Sequence, residues 1–126
     1  MMFFIKYNKT IIWSLVILLL CIMPASDIPK IKIAGIDKVV HFGLFGVLTT
    51  LLMSETNQLR TLRGCDKKSI ILGLIVPIIY GGLIELIQQQ LPSRSAELFD
   101  LVADSAGTIV AVLIYPFVNR ITRGFF

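Results

Sequence analysis

Four apolar runs separated by polar connections set the pattern of this chain. Ile11 to Met23 carries no charge and is closed by Pro24 and Pro29, so a first helix is expected over about 10–24. After a connection carrying Lys30 and Lys32, a second helix is expected over about 37–53, opening at Asp37-Lys38-Val39-Val40-His41. The longest polar stretch, Ser54 to Ser69, precedes a third helix over about 70–89. A hinge containing Pro92 and Arg94 leads to a fourth over about 99–118.

Two of these segments carry stripes of small and polar residues. Gly73, Pro77, Gly81 and Glu85 recur every four residues, and Asp100, Asp104, Gly107 and Ala111 share one face of the last helix. Small residues let neighbouring helices approach closely in a membrane, so the two stripes are expected to face each other. Pro77 lacks a backbone donor and is a candidate bend.

Composition fixes the solvent. The 126 residues are 56% hydrophobic and 16% charged, with mean hydropathy +0.83, where a soluble domain carries about a quarter charged residues. The expected fold class is all-α, a four-helix transmembrane bundle forming a single domain over residues 1–126.

The net charge of +4 does not indicate nucleic acid, because its Lys and Arg lie in connections and termini without interleaved aromatics. They report topology instead. Lys6, Lys9, Arg60, Arg63, Lys67, Lys68, Arg120 and Arg123 fall on one side, and Lys30, Lys32, Lys38 and Arg94 on the other. That bias predicts a cell-membrane protein with both termini cytoplasmic. Ala25 follows the first run as a cleavage signal would require, but Met23 fits the site poorly, so a retained span is expected. Cys21 and Cys65 belong to opposite sides, which argues against a disulfide or a shared metal.

The candidate chemistry lies in charged groups that the membrane makes costly. At about 1.5 Å per residue, Glu85, Asp104 and His41 come to roughly 22, 21 and 18 Å from the cytoplasmic ends of their helices. All three thus converge in the outer half of a core about 30 Å thick. Neutral His41 suits a general base or a metal ligand, and Asp37, one turn before it, would orient it. Arg94 suits a phosphate or carboxylate bidentately, or equally an internal clamp on Asp100. Lys38 and Asp100 lie nearer water, and Gln88 keeps register with Glu85. These residues fit a structural latch as well as a site. Among familiar catalytic patterns, neither a G-x-S-x-G elbow nor H-E-x-x-H nor a nucleotide-binding loop is present.

Asp37-Lys38-x-x-His41-Phe42, Glu85-x-x-Gln88, Pro92-x-Arg94 and Asp100-x-x-x-Asp104-x-x-Gly107 stand in this order over roughly residues 37–115. In them the chain resembles the VanZ-like family of small bacterial membrane proteins, departing from it at Asp104, where many members are expected to carry Asn. The resemblance implies a place in the cell envelope, and its best-known member is associated with low-level teicoplanin resistance. The leading expectation is an outward-facing polar pocket for membrane lipids or a cell-wall precursor. In an enzymatic version His41 is the base, Arg94 holds a phosphate, and Glu85 with Asp104 hold a divalent cation. A proton-coupled transporter subunit is the alternative, although four short spans are few for one unless copies associate. A structural envelope-assembly protein is the third.

Overall fold

The computed structural model describes residues 2–22, 36–56, 67–90 and 98–122. Every regular element among them is a helix: α1 (Met2–Lys6), α2 (Asn8–Ile22), α3 (Ile36–Thr56), α4 (Lys67–Gln89) and α5 (Leu98–Thr122). The four expected helices are present with shifted ends, and α1 precedes them as a short element that periodicity did not indicate. Lys38–Thr56, Lys67–Gln89 and Phe99–Val118 are long and apolar enough to cross a membrane. The 15 residues of α2 reach about 22 Å, against a hydrocarbon core of about 30 Å. Three span-length helices, not four, are therefore present among the described residues.

The bundle is apolar outside and polar inside. Ile71, Ile75, Ile79 and Leu83 on α4, and Val102, Leu113 and Phe117 on α5, are exposed, whereas His41, Thr49, Glu85, Gln88, Asp100 and Asp104 are buried. Water would invert that order; a bilayer favours it.

α3 packs against α2, α4 and α5, most extensively against α5. Gly107 permits that closeness, because a Cβ there would lie only 2.2 Å from the Phe42 carbonyl oxygen. The small-residue stripe of α4 faces inward as expected, with Gly73, Pro77, Gly81 and Glu85 all buried. Pro77 offers no N–H to the Gly73 carbonyl one turn back, and Thr49 Oγ1 of α3 donates to that carbonyl at 3.3 Å.

α2 is tied on mainly through polar bonds across the bundle. Trp13 Nε1 donates to Leu44 O at 2.9 Å, and the Tyr80 hydroxyl donates to Ser14 O. Ile17 and Cys21 join Phe45, Leu48 and Ile84 in an apolar cluster beside these bonds. Cys21 is thus the buried small hydrophobe that its context implies, while Cys65 lies outside the described residues.

Candidate functional site

Register along two helices builds the site. Lys38 and His41 are three apart on α3, and Asp100 and Asp104 four apart on α5, so each pair shares one face. The close crossing at Gly107 brings the two faces together. Lys38 Nζ lies 3.4 Å from Asp100 Oδ1, His41 Nε2 lies 3.9 Å from Asp100 Oδ2, and His41 Nδ1 lies 2.9 Å from Asp104 Oδ1.

The four side chains alternate between the helices as a single file. Its side-chain exposure falls from 33% at Lys38 and 10% at Asp100 to 9% at His41 and 0% at Asp104. Lys38 and Asp100 stand at the starts of their spans, so the file runs from a membrane boundary into the bundle. An ionised Asp104 only accepts, which places the bonded proton on Nδ1 and fixes the ring. At 3.9 Å, Nε2 is beyond hydrogen-bonding distance of Asp100. It is turned toward the boundary-side end of the file, where Asp100 stands.

Asp104 Oδ2 rests on Gly81 of α4, where a Cβ would lie 3.0 Å from it. Neither that oxygen nor Thr108 Oγ1, one turn further along α5, has a hydrogen-bond partner among the described residues. Glu85 stands one turn beyond Gly81 on the same buried stripe. Gly81 thus closes the inner end of the file at Asp104, and Glu85, a turn nearer the boundary on the antiparallel α4, stands beside it.

The expected site residues separate into three groups. Lys38, His41, Asp100 and Asp104 are joined, and Glu85 is buried on the adjoining face of α4. Gln88 instead reaches α2, where its Nε2 donates to Cys21 O at 3.0 Å. Cys21 is within the last four residues of α2, so Gln88 satisfies a carbonyl that the helix itself leaves open. Arg94 and the side chain of Asp37 lie outside the described residues. Among those described, no set of three or more His, Cys, Asp or Glu is placed to hold a metal ion.

Sequence reading overlooked Thr108 and Glu55. Thr108 was accessible to it, being the next residue at a spacing of four after Asp100 and Asp104. Glu55 lies in the stretch that reads as a polar connection, yet it belongs to the last turn of α3. Its carboxylate accepts from Lys9 N at 2.9 Å, from Thr10 N at 3.2 Å and from Thr10 Oγ1 at 2.7 Å.

Span-length apolar helices around a buried polar file define a small helical membrane protein. A family model described as VanZ/LLP1 matches residues 2–119, and the chain belongs to that family. No curated protein and no solved structure matches it.

Proposed function

We propose that the file from Lys38 to Asp104 receives the polar head of an envelope lipid or cell-wall precursor. The carrying observation is its order, with a cation at the half-exposed rim, an imidazole behind it and an anion after each. In this reading Lys38 meets a phosphate or carboxylate oxygen as a compact charge, exchanging part of its pairing with Asp100. His41 Nε2 accepts a proton from a hydroxyl or ammonium of the head, while Asp104 holds the ring. Arg94, in the connection before α5, supplies a second cation in the same reading.

The site then opens outward. Glu55 binds the start of α2, and α4 begins after the end of α3, so Lys6, Lys9, Lys67 and Lys68 gather opposite Lys38 and Asp100. Positive-inside assigns that basic end to the cytoplasm and both termini with it, and α2 serves as a short fourth span. The reading extends to susceptibility toward glycopeptides of the teicoplanin type.

A proton relay is the second reading, favoured by the same alternation of acids and imidazole toward the bundle interior. Proton flux into vesicles carrying the full chain, lost in His41→Gln, would support it.

Thermal melting of the purified chain in detergent tests the headgroup reading. Phosphatidylglycerol should raise the melting temperature more than phosphatidylcholine, and Lys38→Gln and His41→Gln should each remove the difference. Retention of the full difference in both variants would overturn the headgroup reading. Loss of teicoplanin tolerance in cells expressing His41→Gln would connect the site to the envelope.

A further inference from the structure

Beside the file, the seam between α3 and α5 opens outward into a groove of about 380 Å³. Phe42, Gly43 and Val47 form one wall, and Gly107, Val110 and Ile114 the other. Thr50 also lines it, but its hydroxyl already donates to Gly46 O at 2.9 Å. The groove therefore presents hydrocarbon and glycine backbone to whatever occupies it.

Its position relative to the charges identifies the occupant. Lys38, Phe42, Gly46 and Thr50 are spaced by four on α3, so Lys38 stands on the groove face one turn beyond its end. Asp100 lies two turns before Gly107 on α5. The ion pair of Lys38 and Asp100 thus spans the seam at the end of the groove nearest the membrane boundary. Counting along α3, lining residues run from about 6 Å to about 20 Å inward of Lys38. One leaflet, headgroup included, is about 20 Å deep. A charged rim followed by an apolar channel of that depth repeats the order of a membrane lipid.

We infer that the groove between α3 and α5 seats one acyl chain of an anionic phospholipid from the surrounding bilayer. The inference deepens and rests on the headgroup reading, with the phosphate at Lys38 and the chain along Val47 and Val110. Glycines make the channel: nothing lies within 4 Å of a Cβ placed on Gly43, so a larger residue there would project into the groove without disturbing the helices.

Photolabelling of the full chain in phosphatidylcholine vesicles tests it. The probes are phosphatidylglycerol and phosphatidylcholine, each with a diazirine midway along one acyl chain. Label from the phosphatidylglycerol probe should concentrate on Val47, Val110 and Ile114, above the exposed α4 residues Ile75, Ile79 and Leu83. Gly43→Leu should lower groove labelling to the α4 level, and Val110→Trp, on the opposite wall, should do the same. Ile79→Phe, remote from the groove, should leave it unchanged. Label spread evenly over α3, α4 and α5, or groove labelling unaffected by both blocking variants, would overturn the groove while leaving the headgroup reading standing. Groove labelling equal for the two probes and unmoved by Lys38→Gln would instead overturn the headgroup reading and, with it, the anionic lipid.

Discussion

Thr49 compensates for Pro77. The proline removes the N–H that would bond the Gly73 carbonyl, and Thr49 Oγ1 donates to that carbonyl from the neighbouring helix at 3.3 Å. Both residues are buried, where an unbonded backbone carbonyl is costly. Thr49→Val should therefore destabilise the bundle by about 0.6–1.7 kcal/mol, the range of interhelical side-chain bonds in membranes. In a Pro77→Ala background the Gly73 carbonyl regains its own helical donor, and the same change should cost much less. Melts of the four proteins form a double-mutant cycle; equal costs in both backgrounds would show that the two residues are uncoupled.

Glu55 should hold α2 in place. Its carboxylate accepts from the Lys9 and Thr10 amides and from the Thr10 hydroxyl, at a helix start where orphan donors and the dipole both favour an anion. Glu55→Ala should lower stability by about 1–2 kcal/mol, discounted because the pair is partly exposed. Cys21, 2% exposed at the far end of α2, provides a local readout in a Cys65→Ser background. Its labelling by a thiol reagent should accelerate in Glu55→Ala if α2 detaches before the rest of the bundle melts. Unchanged labelling and melting would remove this anchor from the account.

Topology can be tested without a ligand. Single cysteines at Ser26, Asn57, Ser95 and Thr122, in a chain otherwise lacking cysteine, report sidedness to an impermeant reagent on intact cells. Ser26 and Ser95 should label, and Asn57 and Thr122 should not, because the basic residues concentrate on the side of the latter two. Labelling of Asn57 and Thr122 alone would move the polar file to the cytoplasmic face. Labelling of Ser26 together with Asn57 would show that α3, which lies between them, does not cross.

The stripes on α4 and α5 were legible because periodicity reports a helix face directly, and both turned inward. The partners across the bundle were not. Lys38, which the sequence places nearer water, meets Asp100 across the seam, while the side chain of Asp37 lies outside the described residues. Gln88 was placed with Glu85, but three residues along a helix leave about 60° between them, enough to turn its amide toward α2. Glu55 and Thr10 are 45 residues apart, and local pattern carries no information about such a contact. The 15 residues of α2 match the length of the expected first helix, 10–24, which is already the shortest of the four apolar segments.

Asp104→Asn separates the charge of the file from its geometry. Asn keeps an acceptor of the same size, so His41 Nδ1 can still donate where it now bonds Asp104 Oδ1 at 2.9 Å. The added amide protons would face the site of Oδ2, which has no partner among the described residues, toward Gly81. Removing a fully buried charge relieves a desolvation cost, so the melting temperature should hold or rise. His41→Leu differs: it leaves Asp104 buried without its imidazole, and should cost about 3–5 kcal/mol if the carboxylate remains ionised. A purely structural latch therefore predicts a folded, active Asp104→Asn and an unstable, inactive His41→Leu. A working site predicts a second outcome, in which Asp104→Asn melts normally but loses the preferential stabilisation by phosphatidylglycerol, because its neutral partner no longer supports charge on His41. Melts with both lipids distinguish the two. Full lipid preference in a stable Asp104→Asn would assign Asp104 a hydrogen-bonding role and leave Glu85 as the carboxylate to test next.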